Sequence, residues 1–275
     1  MTIQEIVKIL TDSGIEPNEA NVEVKMLLEH FANYGAKDII MGNKLTEDKL
    51  EIVKEKAQLR AKTHQPIQHI IGFADFMGEK FIVNTSVLIP RDETEILVRK
   101  AVDIINENGL KMALDVGTGS GCIACMVAKL TDCQIIGLDV STDALNVALD
   151  NASRLNLFNK AIFRKSDVFS NVKPRESFDI IISNPPYIPA GTPLQKEVTF
   201  DPKLALFASD NDGLEFYEKI TNGALNVLNA GGYLLFELGI RQSQAVKDIM
   251  AQVGFKDIEI IKDLAGIDRV ISAHL

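Results

Sequence analysis

The segment Asp115-Val116-Gly117-Thr118-Gly119-Ser120-Gly121 sets three glycines at alternate positions between an apolar run and a helix-forming run. Glycine tolerates positive φ and carries no side chain, so a ligand can lie against the backbone. A helix start that follows presents free N–H groups. Asp139 ends the next apolar run, 22 positions after Gly117, close to the spacing at which an acid meets ribose hydroxyls in nucleotide-binding units. Carboxylates at Asp115 and Asp139 suit a nucleoside with a cationic or polar tail and repel a naked triphosphate. Cys122 stands where a dinucleotide fingerprint has Gly or Ala, and no Walker lysine is present, which weighs against nicotinamide and triphosphate readings.

A second cluster, Asn184-Pro185-Pro186-Tyr187, follows the apolar run Phe178–Ser183. Read blandly, it is a proline-rich turn. At the carboxyl end of a strand downstream of a glycine loop, it resembles the active-site signature of S-adenosylmethionine-dependent methyltransferases that modify planar amide or amino nitrogens. Such a nitrogen is a poor nucleophile because its lone pair is delocalised into the neighbouring π system. Two acceptors must hold its N–H groups and turn the lone pair toward the methyl donor. The Asn184 side-chain oxygen and the Pro185 carbonyl are the candidate acceptors. Pro185 and Pro186 remove backbone donors and stiffen the turn, so the acceptors are set before substrate arrives. Tyr187 offers a flat ring to the substrate's planar group. A strong general base is not required.

These residues need a scaffold. From Lys111 onward, short apolar runs alternate with helical patterns, which predicts a mostly parallel sheet with helices on both faces. The expected strands are Met112–Val116, Gln134–Asp139, Ala161–Arg164, Phe178–Ser183, Tyr233–Leu238, Phe255–Ile261 and Arg269–Ala273, the last two antiparallel at one edge. Expected helices include Gly121–Leu130, Thr142–Leu155, Gly213–Leu228 and Gln242–Val253. An acidic helix start at Asp92, Glu93 and Glu95 opens a further helix to about Asn106, closed by Gly109. Period-two runs Phe73–Phe76 and Phe81–Val83 around Gly78 read as a hairpin. The first 65 residues read as a helical bundle. Thr2 and Glu5 have capping-box spacing, a second helix begins near Pro17, and a third begins near Thr46.

The wider pattern resembles the peptide chain release factor glutamine N5-methyltransferase (PrmC/HemK) family. It is carried by Gln65–Gly72, Val87–Glu95, the Gly117 loop, Phe178–Tyr187, Asp201–Phe207, Asp212–Tyr217, Lys262–Gly266 and Asp268-Arg269, nearly the whole chain. The resemblance implies a Rossmann-like class I methyltransferase domain over 85–275, a hairpin linker over 72–84 and a helical substrate-docking domain over 1–71. It implies methyl transfer from S-adenosyl-L-methionine to the glutamine of the Gly-Gly-Gln motif in peptide chain release factors. Gly117, Thr118, Gly119, Ser120, Gly121 and Asp139 would hold the methionine and ribose parts of the cofactor. Asp167 and Val168 would lie near the adenine, and Asn184 to Tyr187 would bind the glutamine amide, with Asn184 also at the cofactor. An aromatic residue often occupies the position of Val168, and Phe169 beside it is a candidate to compensate.

The rivals are an adenine amino-group DNA methyltransferase and a non-catalytic cofactor-binding partner. Charge bears on the first. The chain of 275 residues has a formal net charge of −9; residues 1–84 carry 10 basic and 13 acidic side chains, and the rest 19 and 25. Neither part is basic, whereas a phosphate-gripping surface should be. No direct nucleic-acid contact is expected. For the second rival, the intact Asn184–Tyr187 cluster favours catalysis. The longest apolar run, Cys122–Ala128, is seven residues, far short of the roughly 20 needed to span a membrane, so a cytoplasmic location is expected. Cys122 and Cys125 are read as small apolar residues on a buried helix face, against a redox or zinc pair. No metal site is expected. Arg91 is open to a structural salt bridge or a site role. Residues 184–211 hold five of the nine prolines and are read as a substrate-enclosing rim.

Overall fold

The computed structural model describes residues 2–275. The chain divides into two units: residues up to Phe73 together with Leu194–Phe200, and Ala74–Pro193 together with Asp201–Leu275.

The first unit contains α1 (Ile3–Asp12), α2 (Pro17–Ala32), α3 (Ala36–Met41), α4 (Glu47–Thr63) and α5 (Ile67–Ile71). The capping box forms as the spacing predicts. Thr2 accepts from the Glu5 N–H, and the Glu5 carboxylate accepts from the Thr2 N–H. Pro17 is the first helical residue of α2, where its missing N–H costs nothing. Ile6, Leu10, Val24, Leu27, Leu28, Val53 and Ala57 form the core between the three longer helices. The short helices α3 and α5 were not expected. Arg60 is 1% exposed and lies within this unit against Glu23, with Nε at 3.0 Å from both carboxylate oxygens. Its Nη2 reaches Glu197 Oε1 at 2.6 Å, so the excursion 194–200 is held by the bundle's buried arginine.

The hairpin β1 (Phe73–Phe76) and β2 (Glu79–Ile82) starts at the unit boundary, and the second unit continues with α6 (Asp92–Asn108), β3 (Met112–Val116), α7 (Cys122–Leu130), β4 (Gln134–Asp139), α8 (Thr142–Arg154), β5 (Ala161–Lys165) and β6 (Phe178–Ser183). After the long loop come α9 (Lys203–Leu206), α10 (Glu215–Ala224), β7 (Leu228–Glu237), α11 (Ser243–Gln252), β8 (Lys256–Lys262) and β9 (Asp268–His274). Phe76 and Phe81 of the hairpin enter the core shared with α6 and α7. The seven-stranded sheet has the order β5-β4-β3-β6-β7-β9-β8. Strands β3 to β7 pair in parallel, and β9 runs antiparallel to both β7 and β8. This is the alternating, mostly parallel architecture the sequence predicts. One face is covered by α6 and α7, the other by α10 and α11.

Boundaries differ where tertiary contacts override local pattern. The predicted helix Gly213–Leu228 is confined to Glu215–Ala224, because the Asp210 carboxylate takes the N–H groups of Gly213, Leu214 and Glu215 and fixes the start. Strand β7 begins at Leu228 rather than Tyr233, since Phe178 pairs with Leu228 ahead of a register shift. The proline-rich loop has its own order: a 3-10 turn Val198–Phe200, helix α9 and a bridge pairing Ile188 with Phe207.

Strand order determines where a site can form. Chain connection reverses on either side of β3, which has β4 on one side and β6 on the other. In open α/β sheets ligands bind outside the carboxyl ends of strands at such a switch point.

Candidate active site

The carboxyl ends of β3, β4 and β6 present, in adjacent positions, the glycine turn, Asp139 and the Asn184 turn. Gly117, Gly119 and Gly121 all have positive φ, at 76°, 54° and 76°. A Cβ at Gly117 would meet nothing within 4 Å, so the turn's outer face is open, whereas at Gly121 it would fall 2.9 Å from Ala148 Cβ. The first glycine thus leaves room for a ligand and the third lets α7 pack on α8. The N–H groups of Gly117 and Thr118 both donate to the Leu138 carbonyl at 2.8 Å, pinning the turn to the end of β4. Ser120 lies buried beneath it, and its carbonyl accepts from Asn151 Nδ2 at 2.9 Å.

Two carboxylates brace this turn in different ways. Asp115 is wholly buried; its Oδ2 accepts from Thr118 Oγ1 at 2.5 Å, while Oδ1 has no hydrogen-bond partner among the described residues. Burial, opposed by the Thr118 hydroxyl and reinforced by the charge of Asp139, lifts its carboxyl to about 7. Asp139 is half-buried. Its Oδ2 accepts from the Gly119 N–H at 2.9 Å and its Oδ1 from the Ser141 N–H at 2.8 Å. Each oxygen keeps a further lone pair, and burial raises this carboxyl as well.

Past β5, Asp167 is exposed and Val168 half-buried. Val168 has φ 47°, a left-handed conformation that is strained for a β-branched residue. Ser166 holds it there, donating from Oγ to the Val168 carbonyl at 2.7 Å and accepting from the Asn171 N–H. The Phe169 ring packs on Gly223 of α10, where a Cβ would lie 2.4 Å from ring carbon Cδ2. Phe169 and Val168 both pack against the core cluster beneath α10.

The Asn184 turn is anchored from below. Ser183 Oγ donates to the Val116 carbonyl at 2.6 Å, joining the ends of β6 and β3. Asn184 Nδ2 donates to Thr94 Oγ1 at 3.3 Å, and Thr94 Oγ1 donates to Glu237 Oε2 at 2.6 Å. The Tyr187 hydroxyl donates to the other oxygen of Glu237 at 3.4 Å. Pro185 is buried and Pro186 half-buried. Gln242 Nε2 donates to the Tyr187 carbonyl at 3.0 Å and to the Asp212 carbonyl at 2.9 Å. Gly213, at φ 72°, is required here, since a Cβ would come within 2.1 Å of the Tyr187 carbonyl oxygen. Arg91 pairs with the buried Asp201 at 2.7 Å, a structural role that ties the start of α6 to the far end of the proline-rich loop. Burial raises the Asp201 carboxyl to about 6 against the opposing pull of Arg91. Cys122, Cys125 and Cys133 are buried free thiols in the apolar core. Burial pushes Cys122 and Cys133 up to about 12.

Sequence reasoning missed Thr94, Glu237 and Gln242. A signal existed for Glu237, a single acid closing the apolar run Tyr233–Phe236 at a strand's carboxyl end.

The chain has sequence relatives over most of its length. It is 37% identical over 254 residues to "Release factor glutamine methyltransferase" of Neisseria gonorrhoeae, covering 90% of this chain and 91% of that protein. The chain belongs to the release factor glutamine methyltransferase family. The protein of the same name from Geobacter sulfurreducens is 35% identical, covering 97% of this chain and 93% of the relative. The family described as Methyltransferase small domain matches residues 93–199. Among solved structures, a methyltransferase from Pyrococcus furiosus aligns with TM-score 0.52 at 21% identity, over 72% of this chain and 90% of that one. The hMettl16 catalytic domain in complex with MAT2A 3'UTR hairpin 1 aligns with TM-score 0.59 at 15% identity, over 91% of this chain and 90% of that one. These two establish the class I methyltransferase fold and nothing finer. No helix among the described residues is long and apolar enough to cross a membrane.

Membership in this family implies S-adenosylmethionine, and the residues present fit it. The turn at Gly117 is open on its outer face, and the spare acceptors of Asp139 stand at the neighbouring strand end where ribose hydroxyls would lie.

Proposed function

We propose that the protein transfers a methyl group from S-adenosyl-L-methionine to the side-chain amide nitrogen of the glutamine in the Gly-Gly-Gln motif of peptide chain release factors. The observation that carries this reading is the Asn184–Tyr187 turn, seated beside the glycine loop in a chain whose relatives bear that name.

When bound, S-adenosylmethionine supplies a methyl group already activated on a sulfonium. Gly117 to Gly121 would cradle its methionine portion, Asp139 would accept from the ribose, and Asp167 with Val168 would border the adenine. Asn184 closes the cofactor side and, through Oδ1, accepts one N–H of the substrate amide. The Pro185 carbonyl accepts the other. With both hydrogens held, the nitrogen lone pair would face the methyl group, with alignment supplying much of the rate gain. As the N–C bond forms the S–CH3 bond would break, S-adenosylhomocysteine would leave as the thioether, and one amide proton would pass to water. Tyr187 packs against the amide plane. The residues before Gly72 serve as the docking domain for the release factor, a protein partner contacted without nucleic acid, in the cytoplasm.

The test incubates purified protein, labelled S-adenosylmethionine and a release factor, and locates the label by peptide mass spectrometry. Methylation at the Gly-Gly-Gln glutamine is expected, and Asn184→Ala should cut turnover by about 10²–10³ while retaining cofactor binding. A release factor left unmodified by the wild-type protein would refute the substrate. Methylation of DNA adenine in its place would favour the nucleic-acid rival.

A further inference from the structure

An asparagine can catalyse by accepting only if its amide presents oxygen, not nitrogen, to the substrate. The two ends of that amide are nearly the same size, so only their partners distinguish them. In this protein the partner of the Asn184 amide is Thr94 Oγ1 at 3.3 Å, and Thr94 is buried. A threonine hydroxyl has one hydrogen. That hydrogen is committed to Glu237 Oε2 at 2.6 Å, so Oγ1 turns a lone pair toward Asn184. Only the N–H end of the Asn184 amide can satisfy a lone pair. Its oxygen must then face outward.

We infer that Thr94 and Glu237 are positioning residues that fix the direction of the Asn184 amide, Glu237 acting through the Thr94 hydroxyl and also holding the Tyr187 hydroxyl. This rests on the glutamine methyltransferase reading above. The device runs in one direction because an ionised carboxylate only accepts. Glu237 is 3% exposed, at the carboxyl end of β7, and touches neither cofactor nor substrate in this scheme. A single acceptor thereby orients two side chains of the turn, since Oε1 takes the Tyr187 hydroxyl while Oε2 takes that of Thr94. The backbone of the same residue adds rigidity, its carbonyl accepting from the Tyr217 hydroxyl at 2.9 Å.

Protonation would undo the arrangement. A neutral Glu237 can donate to Thr94, free the threonine hydrogen to point at Asn184, and let the amide turn its nitrogen outward. A donor would then confront the substrate's own N–H. The groups acting on Glu237 are Glu93 from α6, whose charge favours the neutral form, and Arg269 from β9, whose charge favours the ionised form. Tyr187 on the loop and Tyr217 on α10 are neutral hydroxyls beside it, and the Cys122 thiol of α7 lies within its electrostatic reach. Burial dominates and lifts the Glu237 carboxyl to about 7. The orienting form is therefore the one favoured above that pH.

The experiment compares Thr94→Val, Thr94→Ser and Glu237→Gln with the wild type, using release factor and S-adenosylmethionine under single-turnover conditions across the pH range. Thr94→Val keeps the shape and loses the hydroxyl. It should lower the methyl-transfer rate by about 10²-fold with cofactor affinity near wild type, and it should lower the melting temperature modestly, since the buried Glu237 carboxylate loses a donor. Thr94→Ser should restore most of the rate, which a packing role for the threonine methyl would not do. In the wild type the rate should fall as pH drops below about 7, and Glu237→Gln should be slower with that acid limb gone. Equal rates in Thr94→Val and wild type, or an acid limb that persists in Glu237→Gln, would overturn the inference. Neither result touches the substrate reading, which stands or falls on the wild-type protein alone. If Thr94→Val does not fold, the pH profile of Glu237→Gln decides.

Discussion

Ser183 Oγ donates to the Val116 carbonyl at 2.6 Å, so the last residue of β6 is tied to the last residue of β3. The glycine turn and the Asn184 turn begin at those residues. A slip of one strand end relative to the other would move the proposed amide acceptors away from the proposed cofactor turn, and small displacements of this kind cost catalysis heavily. Ser183→Ala removes the donor in a fully buried setting. The unfolding free energy should drop by about 1–2 kcal/mol, read as a lower urea midpoint at unchanged slope. An unshifted midpoint would mean that the pairing of β3 with β6 alone sets the register.

Asp139 braces the glycine turn and, in the proposed function, would also hold the ribose. Its oxygens take the N–H groups of Gly119 and Ser141, leaving spare lone pairs at the strand end. Asp139→Asn removes the charge and sets an NH2 group against one of those donors. Loss of a charge-assisted hydrogen bond is worth about 1.5–3 kcal/mol, so titration calorimetry with S-adenosylhomocysteine should show affinity weaker by about 10- to 100-fold. Equal affinity in the two proteins would move the ribose away from Asp139.

This residue also shows what a sequence makes legible. The glycine spacing, the acid 22 positions downstream and the Asn-Pro-Pro-Tyr turn are local features, and the strands carrying them match their expected ranges closely. The support under the turn is not local. Thr94 and Glu237 are 143 positions apart and meet only because α6 packs on the sheet near the end of β7. Nothing in the periodicity around either residue indicates its partner. The same holds for Arg60, which is 1% exposed and held by Glu23 and by Glu197, 137 positions away. Val168 illustrates a third limit. Its left-handed backbone comes from Ser166 and Asn171, and valine's own preference argues against it.

Stability should depend on pH through Asp115. Burial lifts its carboxyl to about 7 in the folded protein, whereas an unfolded aspartate titrates near 4. Between those values the folded state keeps a proton that the unfolded state has lost. The contribution of this group is therefore fully present below about pH 4 and is lost as pH rises through about 7. Glu237 slopes the same way. Asp115→Asn abolishes the first slope and leaves the second. The stability difference, variant minus wild type, should increase between about pH 4 and 7 by at most about 4 kcal/mol and then level off. Urea titrations of the cofactor-free proteins at several pH values measure it. A constant difference would mean that Asp115 is ionised throughout.

The buried arginine of the helical unit gives the largest expected effect. Arg60 Nε and Nη2 reach both oxygens of Glu23, which is itself 4% exposed. Removing one partner of a buried pair strands the other charge, at a cost of about 3–5 kcal/mol. Arg60→Met should therefore unfold at much lower denaturant. Adding Glu23→Gln to that variant should recover part of the loss, because a neutral amide is less costly to bury than a lone carboxylate. Glu197, at 38% side-chain exposure, is a different case. Water screens its interaction with Arg60, so Glu197→Gln should cost less than about 1 kcal/mol, although it loosens the hold on residues 194–200. Proteolysis within that segment, compared between Glu197→Gln and wild type, separates the two effects. Faster cleavage at unchanged global stability is expected, and equal cleavage would show that the 3-10 turn Val198–Phe200 holds the segment without the arginine.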